Sequence, residues 1–115
     1  MERRKEKRVE IHHPVYYRSL DADAHRKSEN AGVALNVSSD GMLIESSEAI
    51  QARDLAIMIK TRAGEILTVA AMVLYSIKAD EHLHRTGVLF QDKGEAKQKF
   101  VKEITATVSR PKSRP

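Results

Sequence analysis

The feature that most constrains this chain is a succession of short apolar runs broken by polar, turn-forming clusters, with one helix-periodic segment only at the end. Val9 and Ile11 alternate with Arg8 and Glu10, and Val15 and Tyr17 continue the extended pattern past Pro14. We read one strand over about 9–19, with Pro14 at an edge position or a bulge. Residues 32–37 and 42–45 predict a second and a third strand, antiparallel neighbours joined by the turn at 36–41. Leu55, Ile57 and Ile59 share one face of a fourth. A turn at 61–64 leads into residues 66–77, where Thr68, Val69, Val73 and Tyr75 favour strand over helix. After polar residues 79–82, Thr86, Val88 and Phe90 alternate with Gly87, Leu89 and Gln91 in a sixth strand. The stretch between Leu20 and Asn30 has no sustained period and reads as an exposed hairpin loop.

The pattern then changes. Asp92 with Glu95 three positions on predicts a capping box, and Ala96, Phe100, Val101, Ile104 and Val108 fall on one helical face before Pro111. Six strands at hairpin spacing and one terminal helix make a mainly β fold, a small antiparallel β-barrel with the helix packed against it. Several small barrels share that pattern, so periodicity alone does not choose among them.

At 115 residues and 41% hydrophobic content, the chain suits one compact domain with a core that needs no metal or disulfide. It has no cysteine, which removes a disulfide framework and a thiol nucleophile and suits a reducing cytoplasm. No apolar run approaches the roughly 18 residues of a membrane helix, and no signal-peptide core follows the charged start. The expected localisation is therefore cytoplasmic. The net charge of +4 is concentrated at the two ends. Arg3, Arg4, Lys5, Lys7 and Arg8 crowd the first eight residues, and Arg110, Lys112 and Arg114 the last six. Basic ends on a balanced body point to an anionic partner, whether a phosphate ligand, a nucleic acid or an acidic protein surface. For 109–115 taken alone, a plain solvated tail is the better account.

Two polar elements carry the functional signal. The first is Arg4-x-x-x-Arg8. Each guanidinium is a planar, permanently charged fork that grips phosphate bidentately, bonds the O6 and N7 edge of guanine, or stacks on a base. The second is Asn36-Val37-Ser38-Ser39-Asp40-Gly41, an Asn-x-Ser-x-x-Gly pattern. In an extended segment the Asn36 amide and the Ser38 hydroxyl leave the same face, and Gly41 ends the turn where a side chain is excluded. Taken alone, these six residues read equally well as hairpin turn chemistry.

In order and separation the two elements resemble those of the PilZ domain, which pairs Arg-x-x-x-Arg at its N-terminal edge with Asp/Asn-x-Ser-x-x-Gly downstream. The resemblance runs from Arg3 to about Val108 and includes Pro14-Val15 in the first strand and Gly87-Val88-Leu89-Phe90 in the last. It implies a six-stranded PilZ-type barrel over 9–108, preceded by a mobile basic segment over 1–8 and followed by a basic tail over 109–115. The implied ligand is cyclic di-GMP, a guanine dinucleotide that offers arginine phosphates, guanine edges and base faces. Arg4 and Arg8 then wrap over the ligand, Asn36 and Ser38 read a guanine edge, and Gly41 keeps the turn compact. Arg3 adds a third guanidinium, and two readings stay open there: a second, stacked ligand molecule, or electrostatic attraction only. Lys5 and Lys7 contribute charge without fixed geometry.

The resemblance implies a non-catalytic receptor without a cofactor, and the residues agree. Ser38 lacks a histidine and acid arrangement, and no glycine-rich phosphate loop is present. His12 and His13, or His82 and His84, lack the spacing of a zinc site. A nucleic-acid-binding barrel is the alternative, although only Tyr16, Tyr17 and Tyr75 are available for stacking once Phe90 and Phe100 are assigned to the core. A third possibility is a protein adaptor that binds no ligand. Because three residues precede Arg4, we expect ordering of that segment to act on a separate partner through the N-terminal face, the helix or the tail.

Overall fold

The computed structural model of the chain describes residues 8–21 and 29–109. Arg3, Arg4 and the segments 1–7, 22–28 and 110–115 lie outside the described residues, and with them most of the expected basic segment and tail. Six strands precede one helix: β1 (Val9–Ser19), β2 (Asn30–Val37), β3 (Gly41–Ser46), β4 (Asp54–Lys60), β5 (Ile66–Asp80), β6 (Leu83–Phe90) and α1 (Glu95–Ser109). All pairings are antiparallel, and the strands close in the order β1-β2-β3-β6-β5-β4. Closure gives every strand two neighbours, although β1 before Tyr16 and β5 beyond Met72 are paired on one side only. Pro14 sits where β1 is paired with β2 but not yet with β4, whose pairing starts at Tyr16, so its missing N–H costs no ladder bond.

Strand alternation sends one set of side chains inward. Val15, Ile44, Ile57, Ile59 and Val69 are all but inaccessible, and Thr86, Val88 and Phe90 point inward together, as their alternation predicts. The helix completes this core with Phe100 and Ile104, one turn apart and fully buried. The Phe100 ring meets Phe90 edge-on, with centroids 5.8 Å apart. Burying such a ring stabilises the fold by about 2–3 kcal/mol. Because α1 touches β5 and β1, which are not neighbours in the barrel, it lies across one end. That end holds the start of β1 and the turn between β2 and β3.

Three local expectations are corrected. Asp92 does not cap the helix: its Oδ2 accepts the Ala70 N–H of β5 at 2.9 Å. The helix instead starts after Gly94, whose φ of +79° suits glycine and whose carbonyl accepts the Gln98 N–H at 3.1 Å. A carboxylate beside a strand N–H satisfies that backbone donor, which outweighs a cap that the next glycine supplies through its backbone. Ala96, assigned to the buried helical face, is exposed, and the Val108 side chain lies outside the described residues. Finally, β5 runs on to Asp80 and β6 begins at Leu83, around a turn at 81–82. Residues 77–80 are exposed, so their polarity reported solvent and not the end of the ladder.

At the far end of the barrel, Tyr17 is buried beside Ser46 and Glu48. Desolvation pushes its phenol pKa above the ordinary value, opposed by the Ser46 side chain and reinforced by the Glu48 carboxylate.

Candidate functional site

Antiparallel pairing of β1 with β2 places Val9 opposite Val37 and Glu10 opposite Asn36. Arg8, the residue before β1, thereby arrives at the end of β2. Its Nη1 donates to Asn36 Oδ1 at 3.0 Å, joining the two sequence elements on the surface. Arg8 is exposed and Asn36 half-buried, so both remain accessible beside their mutual bond.

The other two pattern positions, Ser38 and Gly41, face the protein, while Ser39 and Asp40 between them are exposed. Ser38 is 4% exposed. Its hydroxyl accepts the N–H groups of Asp40 and Gly41, each at 3.2 Å, and its own N–H donates to the Gly41 carbonyl at 2.8 Å. Asn36 and Ser38 therefore do not present amide and hydroxyl together on one face, because the strand ends at Val37 and Ser38 folds inward to close the turn. Gly41 is needed for space: a Cβ there would lie 2.2 Å from the Val88 carbonyl oxygen on the adjacent strand. Its φ is not positive, so backbone handedness makes no demand. Asp40 fastens the turn further. Its carbonyl accepts the Phe90 N–H at 2.8 Å, and its carboxylate lies 3.7 Å from Lys97 Nζ on α1.

Beside Asn36 the outer wall of the barrel is indented. The β1–β2 register shifts between Glu10 and His13, and the β2–β3 register between Ala34 and Asn36. Such bulges bend a strand and re-aim its side chains. A groove of about 400 Å³ lies there, lined by Glu10, Ile11, His12, Leu35, Asn36, Leu43, Glu45 and Arg85. The ladder continues Glu10–Asn36–Leu43–Gly87–Tyr75 in one row across five strands. Gly87 keeps the wall low, and the Tyr75 ring lies over it, 2.6 Å from where a Cβ would be. Arg85 and Glu45 form an ion pair at 3.3 Å on the β3–β6 side of the groove.

Neither Glu45 nor Arg85 is legible as a site residue in the sequence, since only the non-sequential pairing of β3 with β6 brings them together. His82 and His84 share no strand face, because His82 sits in the 81–82 turn with an exposed side chain. Among the described residues no group of three or more metal-ligating side chains converges. Nor is any described helix long and apolar enough to cross a membrane.

No protein-family model matches the chain, and no curated protein matches it. Solved structures do. The PilZ domain of YcgR from Escherichia coli, solved with c-di-GMP, superposes with a TM-score of 0.67 at 17% identity, over 95% of this chain and 93% of that one. The Bacillus subtilis inhibitor of motility MotI/DgrA gives 0.67 at 12% identity, with 96% of this chain matching 52% of that one. The PilZ domain of CeSA from a cellulose-synthesizing bacterium gives 0.63 at 17% identity, over 89% and 98% of the two chains. Likeness at such identities speaks for architecture, and its agreement over nearly the whole barrel and helix gives the conclusion that this chain has the PilZ-domain fold.

Proposed function

We propose that the protein is a non-catalytic receptor for cyclic di-GMP. The observation that carries the reading is the Arg8–Asn36 hydrogen bond, which unites the arginine element and the Asn-x-Ser-x-x-Gly element at the mouth of one groove. Both groups have the chemistry for a guanine nucleotide: the amide pairs with a base edge, and the guanidinium bonds phosphate oxygens or the O6/N7 edge. A guanine arriving at Asn36 replaces Arg8 as the partner of the amide and frees the guanidinium for the ligand. In the bound state Arg4 closes over the ligand from the other side, and Arg3 adds a third guanidinium. Ser38 and Gly41 serve by holding the turn that presents Asn36. Structures of similar fold solved with c-di-GMP, from Escherichia coli and Klebsiella pneumoniae, support the choice of ligand. Ordering of the arginine segment over the groove then remodels the barrel end that α1 covers, where a downstream protein partner reads the bound state.

Isothermal titration of cyclic di-GMP, GTP, cyclic di-AMP and a short single-stranded RNA tests the proposal. The expected result is selective cyclic di-GMP binding, weakened about ten- to hundredfold by Arg8→Ala through loss of charge-assisted bonds. The stoichiometry reports on Arg3, since two equivalents mark a stacked pair and one equivalent leaves it an electrostatic role. Salt-sensitive RNA binding without guanine preference would replace the receptor with a nucleic-acid-binding barrel. Absence of binding to every nucleotide would leave a protein adaptor.

A further inference from the structure

The Arg85–Glu45 pair faces the same groove as Asn36 but belongs to neither sequence element. The ladder places Leu43 beside Gly87 and Glu45 beside Arg85, so the pair stands two residues along the same outward face from the Asn36–Leu43–Gly87 row. Successive outward residues on a strand are about 6.5–7 Å apart, within the span of one nucleotide. Arg85 Nε and Nη2 both donate to Glu45 Oε2 at 3.3 Å, which holds the guanidinium by one edge. A guanidinium carries five N–H donors in a fixed fork, so both Nη1 hydrogens and the second on Nη2 remain for another acceptor. No other partner for them occurs among the described residues. The Arg85 side chain is 47% exposed and that of Glu45 21%, so the anchor is the more buried member and the fork the more accessible.

Resting on the receptor reading of this groove, we propose that Arg85, oriented by Glu45, reads the O6/N7 edge of a guanine and makes the site selective for guanine over adenine. The pairing decides which ligand group it meets. With Glu45 neutralising its charge, Arg85 offers little net attraction to phosphate, while its fixed donors match two adjacent acceptors on a neutral base. Guanine presents such a pair, whereas adenine places the N6 amino group, a donor, where guanine has O6. An adenine in the same pose would set donor against donor. Division of labour follows: Arg8 and the preceding basic residues supply charge, and Arg85 supplies base identity.

The test is titration of cyclic di-GMP into the wild-type chain and its Arg85→Ala, Arg85→Lys and Glu45→Gln variants, with cyclic di-AMP as competitor, at two salt concentrations. The Ala variant is expected to weaken cyclic di-GMP binding about five- to hundredfold, the range of one bidentate base contact, and to lower selectivity over cyclic di-AMP by a similar factor. Lys is expected to fail to restore it, since it keeps the charge without the fork. Gln at position 45 should give a smaller loss in the same direction, and the salt dependence of Arg85→Ala should match that of the wild type. Melting curves check the fold, which an exposed ion pair scarcely supports. Unchanged affinity in Arg85→Ala, full rescue by Lys, or a loss shared equally by both dinucleotides would overturn the inference and leave the receptor intact. A wild-type chain that binds no cyclic di-GMP overturns both.

Discussion

Two parts of one six-residue motif behave differently. Asn36 looks outward, bonded to the exposed Arg8 side chain at the lip of a groove, while Ser38 and Gly41 look inward and are consumed by the turn and by contact with β6. A pattern that reads as a single recognition element is thus half surface chemistry and half barrel construction. The difference teaches that the motif's residues should fail in different ways, the inner ones through stability and the outer ones through affinity.

The sharpest attempt to break that division is Gly41→Ala. A Cβ 2.2 Å from a backbone carbonyl cannot be relieved by rotating a side chain, so β3 must shift away from β6. We expect a loss of about 3 kcal/mol in denaturant unfolding, the upper end of overpacking costs. A stability equal to that of the wild type would move Gly41 to the outer half. Next in size, Arg8→Ala and Asn36→Ala should each weaken cyclic di-GMP binding about tenfold or more while changing stability by under about 0.5 kcal/mol, as expected for surface groups outside the core. A matching drop in melting temperature would erase the distinction.

Ser38→Ala tests the inner half more gently. It removes the acceptor for two turn N–H groups, for an expected cost of about 1 kcal/mol, with affinity reduced only as far as the turn loosens. If affinity falls tenfold with no change in stability, Ser38 belongs with Asn36. The smallest effect serves as a control from the opposite end of the barrel. Unfolded tyrosine ionises near pH ~10, whereas buried Tyr17 does so only at higher pH. The folded state therefore retains that proton longer, and its stability contribution, full below the unfolded value, is lost as pH rises through the folded one. Unfolding measured between about pH 9 and pH 11 should show a decline that Tyr17→Phe reduces, with no change in ligand affinity at neutral pH.

Much of this division was invisible before folding. The spacing of Asn36 and Ser38 suggested a shared face because alternation holds only while a strand continues, and β2 ends between them. Asp92 and Glu95 carried the signature of a cap, yet Asp92 found a better partner in Ala70, supplied by a strand more than twenty residues earlier. Conversely, the inward sets on β4 and β6 were correctly read from alternation, since burial on one side of a sheet leaves a two-residue period that no other element imitates.

By itself, then, the sequence determined which segments extend, that Phe100 and Ile104 of the terminal helix seek the core, and which two polar elements stand one strand pair apart. These are consequences of local period and turn chemistry, which act between near neighbours. Tertiary structure alone decided that β3 lies beside β6, that Glu45 meets Arg85, and that the groove forms at two bulges next to Asn36. Barrel closure pairs strands distant in sequence, and the register of such pairs is settled by the joint packing of a shared core, a sum over the whole chain that no single stretch contains.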